Sequence, residues 1–253
     1  MEKPKISVII PYSSPEDAYN ALPYLKGAID SILAQTIRDQ IQLIVVNDGA
    51  GEGEWIRIIQ PYEIILDTER FICIQHTERR GMSASLNTGI QASEGEYISW
   101  MGVGDRWVIY AAEKFMKVLD KHPEALLAYC DKVTVSDYFI SEKLSRSPEF
   151  SIERYLEGNF ISGSMFMYRK SAHDKVGYCR EDFAVAYDYD MWARFLIADI
   201  GDFHHIQEYM TYYNLNPKCN YSKDLDKEKK EIEDVQKRLK EWQDNKGPKK
   251  SDN

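Results

Sequence analysis

Hydrophobic and polar positions along this chain follow two periods, and the switches between them predict the fold. Short apolar runs occupy 5–11 (KISVIIP), 41–49 (IQLIVVNDG), 70–76 (RFICIQH) and 95–101 (GEYISWM). Each is rich in β-branched or aromatic residues and closes on a turn, so each reads as a buried strand. Between them, 15–36, 54–62, 81–93 and 111–122 carry apolar residues at helical spacing, with Pro23 at an early turn or kink. Strand alternating with helix predicts a mostly parallel sheet flanked by helices. Ligands of such sheets bind outside the carboxyl ends of the strands. The turns after residues 10, 46, 76 and 100 therefore bring Pro11–Ser13, Asp48, Arg80 and Asp105 towards one crevice.

The second half is less regular. Residues 125–140 predict one or two strands, 164–170 another, 187–198 a helix opening with Asp188 and Asp190, and 202–215 an aromatic strand. No low-complexity linker interrupts the chain before 217, which predicts one domain over 1–216, divisible into 1–105 and 106–216. The segment 217–253 is strongly charged, with Leu225, Ile232, Val235, Leu239 and Trp242 on a narrow helical stripe. That stripe predicts an amphipathic helix packed back on its own domain, with a contact to a second copy as the alternative. The last residues, KGPKKSDN, are expected to be disordered.

Composition narrows the functions available. A net charge of −9 over 253 residues argues against a nucleic-acid binder, which needs a basic surface. Cys73, Cys130, Cys179 and Cys219 form no CxxC pair and read as reduced, packed thiols. No apolar run is long enough to span a bilayer, so a cytoplasmic protein is expected, with peripheral attachment to a membrane left open. Adjacent His204 and His205 on a strand point to opposite faces and read as packing or surface residues rather than a metal pair. No GxSxG, Walker or GxGxxG motif is present.

The turn after the fourth strand, MGVGDRW, carries a single acid, Asp105, beside Gly102 and Gly104. Read from the residues alone, Asp48 could cap a turn, Arg80 could be solvated, and Asp188 could cap its helix. Six segments give these residues a sharper meaning: SVIIPYSS, AIDSILAQT, LIVVNDGAG, GMSASLNTGIQASEGEYISWM, GSMFMYRKSAHDKVGY and AYDYDMWARFL. In order and spacing they resemble the family 2 glycosyltransferases over roughly residues 5–215. The resemblance implies a GT-A fold with a nucleotide-sugar-binding half at 1–105 and an acceptor-side half at 106–216. It also implies inverting transfer of a sugar from a nucleotide donor, most readily a UDP-sugar, to an acceptor hydroxyl.

It assigns residues as well. Pro11 and Tyr12 match the wall beside the base, Asp48 the acid that meets the base, Arg80 a residue near the base or diphosphate, and Ser13 and Gly104 fall with them among the donor-binding positions. Asp105 matches the last acid of the strand-end motif, the ligand of a Mn²⁺ or Mg²⁺ ion, while Gly102 and Gly104 stand at positions usually held by Asp. Asp188 matches the general base; the acid that precedes it in the family pair is replaced by Tyr187. Gly163, Ser164 and Trp192 fall where the acceptor side is expected. Asn214 and Asn216 replace a closing Arg and His, so metal binding is expected to be weak without nucleotide. The acceptor is left open among a glycan such as a surface polysaccharide, a lipid-linked sugar and a protein side chain. A catalytically weak nucleotide-sugar-binding or regulatory module is the alternative, motivated by the thinned acidic motif; a nucleotidyltransferase lacks its Gly-rich phosphate loop here.

Overall fold

Unbroken apolar runs become strands because both of their faces are covered. A computed structural model of the chain describes residues 3–13, 22–49, 51–65, 70–136, 141–215 and 225–246. Strand β1 (Ile6–Tyr12) is followed by helix α1 (Leu22–Leu33), β2 (Ile41–Asp48), α2 (Glu52–Ile65), β3 (Phe71–His76), α3 (Met82–Ala92) and β4 (Tyr97–Trp100). Every residue of β1, β2 and β4 is buried. Then come β5 (Arg106–Trp107), α4 (Ala111–Lys121), β6 (Ala125–Val135), β7 (Ser141–Ser145), α5 (Ile152–Glu157), β8 (Phe166–Arg169), α6 (His173–Val176), α7 (Tyr187–Ile197), β9 (Asp202–Asn214) and α8 (Leu225–Lys246).

The strands form one sheet in the order β3-β2-β1-β4-β8-β6-β9-β5, with β7 paired to β6. The first four are mutually parallel. Beyond them β8 runs antiparallel between β4 and β6, while β9 runs parallel to β6 and antiparallel to β5. The chain leaves β1 for β2 on one side and returns to β4 on the other, so the order reverses at β1, where a crevice opens at the strand ends. Two polar side chains inside this region bond to each other and to the backbone: Ser7 Oγ donates to Gln42 Oε1 at 2.6 Å, and the N–H groups of Gly95 and Glu94 donate to Ser7 Oγ and Gln42 Oε1.

The predicted helices and strands appear close to their expected bounds; residues 15–21 of the first helix and 137–140 lie outside the described residues. Short β5, β7, α5 and α6 were not expected, being too brief to show a period. In α2, Pro61 sits inside the helix. An aromatic cluster joins α7 to the sheet: Trp192 stacks on Trp100 (centroids 5.3 Å apart, planes at 4°), with Phe166 and Tyr168 edge-on to both. His204 and His205 do part, the former stacking on His122 and the latter pairing with Asp131 at 2.9 Å.

Helix α8 packs back on its own domain, against α7 and α5. Val235 and Leu239 are fully buried and Ile232 partly so, whereas Leu225, expected on the same stripe, is exposed because it begins the helix beyond the reach of the domain. No described helix is long and apolar enough to cross a membrane.

Candidate active site

Beyond β4 the chain turns through Gly102–Gly104 and closes when the Asp105 N–H donates to the Gly102 carbonyl at 3.0 Å. This turn forms part of a cavity of about 520 Å³ whose wall includes Pro11, Trp100, Gly102, Gly104, Asp105, Gly163, Asp188 and Tyr213. Two carboxylates from distant parts of the sequence thus meet in one space.

Asp105 is nearly fully buried, and its Oδ1 accepts the backbone N–H of Asn214 at 3.1 Å. Its Oδ2 faces Gly102 and Gly163, lying 3.4 and 3.3 Å from where a Cβ would stand on each. Gly163 has φ +68°, and a side chain there would also strike the Tyr213 ring at 2.8 Å, so glycine is required at this wall. Burial pushes the Asp105 carboxyl up to about 6, against the opposing pull of the Asn214 N–H, Ser164 and Lys132.

Asp188 lies in the first turn of α7, with Oδ1 accepting the Tyr189 N–H at 2.7 Å and the Asn159 side chain also bonded to it. Burial pushes its carboxyl up to about 7; the Tyr189 N–H, Asn159 and Lys132 oppose the rise. The turn before it is held from α8: the buried Glu231 carboxylate accepts the backbone N–H groups of Ala184, Val185 and Ala186 at 2.8, 2.9 and 2.8 Å. Asp190 points away from the cavity and pairs with Arg194 at 2.8 Å and Arg238 at 2.6 Å.

The other expected residues divide. Pro11, Gly104 and Gly163 line the cavity. Ser13 is half-buried after β1, but Tyr12 is fully buried and its ring belongs to the core instead of a base-side wall. Asp48 and Arg80 do meet, although not through the Arg80 side chain. Asp48 Oδ1 accepts the Arg80 N–H at 2.8 Å, Oδ2 accepts the Gly81 N–H at 2.9 Å, and His76 Nδ1 lies 3.0 Å away. Asp48 therefore fixes the turn entering α3, a placement that the unpaired N–H groups of a helix start favour. The Arg80 guanidinium is exposed, 3.7 Å from Glu181.

Trp192 and Ser164, expected on the acceptor side, are not among the residues lining the cavity. Both are fully buried: the Trp192 indole donates to the Ile161 carbonyl at 3.0 Å, and Ser164 Oγ lies 2.5 Å from Thr211 Oγ1. Trp192 fills the core under the cavity, and Ser164 supports Asp105 from behind. Asn216 lies outside the described residues.

Hard divalent cations take oxygen ligands. Asp105 offers one carboxylate oxygen to the cavity, its other oxygen being engaged by Asn214. Among the described residues no cluster of three or more His, Cys, Asp or Glu is arranged around a common point. These residues fit a divalent ion only where a ligand such as a diphosphate supplies further oxygens.

Lys132 and Glu231 were missed at the sequence level. Pairing of Lys132 with Thr211 across β6 and β9 puts Lys132, Thr211 and Tyr213 on one face, and the ammonium stands 4.7 Å from the Tyr213 ring centroid. Its signal was a lone cation within the apolar run ALLAYCDKVTV. Glu231 was one acid among many in a charged segment and gave no signal.

Known proteins resemble this chain in sequence and in fold. An uncharacterized glycosyltransferase of Rickettsia typhi is 31% identical over 210 residues, covering 80% of this chain and 62% of its own length. One from Methanocaldococcus jannaschii is 28% identical over 239 residues, covering 90% and 77%. The chain spans 62% and 58% of the Rickettsia typhi and Rickettsia prowazekii relatives. Among solved structures, S. aureus TarS 1–349 superposes with a TM-score of 0.67 at 16% identity, covering 83% of this chain and 60% of that one. The mannosyltransferase PcManGT of Pyrobaculum calidifontis, solved with GDP-Man and Mn²⁺, superposes at 0.63 with 17% identity, covering 87% and 59%. These superpositions carry the fold, that of GT-A glycosyltransferases. The profile of Glycosyl transferase family 2 matches residues 7–177, and with more than half of its length matched the chain belongs to that family.

Proposed function

We propose that the chain transfers a sugar, with inversion, from a nucleotide sugar to an acceptor hydroxyl, with Asp188 as the general base. The observation that carries this reading is the cavity itself: Asp105 at the end of β4 and Asp188 at the start of α7 line it together. The acceptor oxygen attacks the anomeric carbon, the bond from that carbon to the diphosphate breaks with its electron pair leaving on the nucleotide, and Asp188 takes the acceptor proton. A carboxyl pushed up to about 7 by burial suits that role near neutral pH. Asp105 would hold a Mn²⁺ or Mg²⁺ ion jointly with the diphosphate, and the chemistry such an ion supplies is neutralisation of the charge that develops on the leaving group. Pro11, which lines the cavity, is assigned in this reading to the donor side together with Ser13 and Arg80.

TarS has been solved with UDP-GlcNAc and PcManGT with GDP-Man, so UDP-sugars are the first donors to test and GDP-sugars the second. A place in polysaccharide assembly fits this chemistry. The test is a thermal-shift and nucleotide-release panel across nucleotide sugars, with and without Mn²⁺. The reading expects one donor to raise Tm and to release nucleotide slowly in a Mn²⁺-dependent way. Donor binding without turnover, even with acceptors present, would favour a binding module instead.

A further inference from the structure

The far side of the cavity is built by α8. Glu228 and Ile232, one helical turn apart, both line it, while Glu231 between them holds the turn that leads into Asp188. The acids of the wall are Asp105, Glu157, Asp188 and Glu228, and its described residues include no Lys, Arg or His. Lys132 influences Asp105 and Asp188 but belongs to the β6–β9 side, against Tyr213. A diphosphate entering beside Asp105 would have Lys132 and a divalent ion to offset its charge. An anion entering between Glu157 and Glu228 would meet no cation of the described wall, in a partly water-excluded space where like charges repel strongly.

Other features of the same wall suit an uncharged sugar. Tyr187 and Tyr213 are the wall's half-buried aromatic residues; such rings bind the apolar faces of a pyranose, while carboxylates accept its hydroxyl protons. The Trp100 indole N–H is buried with no partner among the described residues.

We infer that α8 is the acceptor-side wall of the cavity and that it selects an uncharged saccharide hydroxyl over an anionic one. This rests on the transfer reading above. The test uses the full chain with the donor identified by the thermal-shift panel. Neutral glycosides of one chromophoric aglycone are compared with the same glycosides bearing a 6-phosphate or a C6 carboxylate. The wild type is expected to favour the neutral acceptors at least tenfold in kcat/KM, and Glu228→Lys to shift the anionic-to-neutral ratio upward at least tenfold. Glu228→Gln, a milder change, should shift it in the same direction, and the donor's thermal shift reports separately on folding and donor binding. Equal or better use of anionic acceptors, or an unchanged ratio in both variants, overturns the inference. Donor turnover with no transfer to any saccharide overturns it too while leaving the donor reading intact; absence of donor binding overturns both.

Discussion

Burial sets the proton affinity of both cavity carboxylates, and this makes Asp188 the residue whose behaviour is most open to measurement. Its carboxyl must be ionised to accept a proton, and burial pushes it up to about 7. Turnover at saturating donor is therefore expected to rise with pH and level off above about 7, and to be down about a hundredfold two pH units below the midpoint. Lys132 opposes the rise, so Lys132→Met should move that limb to higher pH; an unmoved limb would separate Lys132 from Asp188.

The same shift makes a stability statement. A carboxyl whose pKa is higher folded than unfolded stabilises the fold fully below the unfolded value of 3.8, and that contribution is lost as pH rises through about 7. Asp188→Asn removes the loss. The variant should be more stable than wild type at pH 8, by up to about 4 kcal/mol, with the gain vanishing near pH 4; denaturant melts at the two pH values check this. At Gly102 a Cβ would meet only the Asp105 carboxyl, Oδ2 at 3.4 Å and Cγ at 3.7 Å. Gly102→Asp should accordingly tighten Mn²⁺ binding to the nucleotide-free protein relative to the weakly binding wild type, as calorimetry would report. The acids at 105 and 188 were legible in the sequence because a family pattern fixes their positions. The burial of Trp192, Ser164 and Tyr12 was not, because spacing places a residue on an element without saying which neighbours cover it.

Among the elements, α8 departs furthest from its sequence impression. Its charged sequence showed an amphipathic stripe, yet its contribution to the site comes from a polar residue. Glu231 accepts three backbone N–H groups, that of Ala186 buried and those of Ala184 and Val185 partly so; leaving the buried one unpaired costs about 1–3 kcal/mol, and the three bonds fix the turn that carries Asp188. Glu231→Ala should lower kcat about ten- to a hundredfold while changing the donor KM less than threefold. Full kcat measured well below a reduced Tm would make Glu231 a matter of stability alone. The longer elements were readable because each spans enough residues to show its period. β5, at Arg106–Trp107, is defined by its pairing with β9, a contact between residues far apart in sequence that no local pattern records.

For the whole molecule, the parallel strands β1 to β4 follow from unbroken apolar runs joined by helices, and their order creates the crevice. The mixed half of the sheet, β8, β6, β9 and β5, brings Gly163, Lys132, Tyr213 and Asn214 round to Asp105, and the stacked Trp100 and Trp192 fix α7 against the sheet so that Asp188 faces the same space. That convergence is a long-range result, seen in the sequence only as separate family segments. The measurement that tests it most directly compares wild type with Asp188→Asn for donor affinity and for nucleotide release from the same nucleotide sugar. The account predicts donor affinity within about twofold and release slowed at least a hundredfold. Equal release rates at equal donor affinity would contradict it, and would remove Asp188 from the chemistry of this cavity.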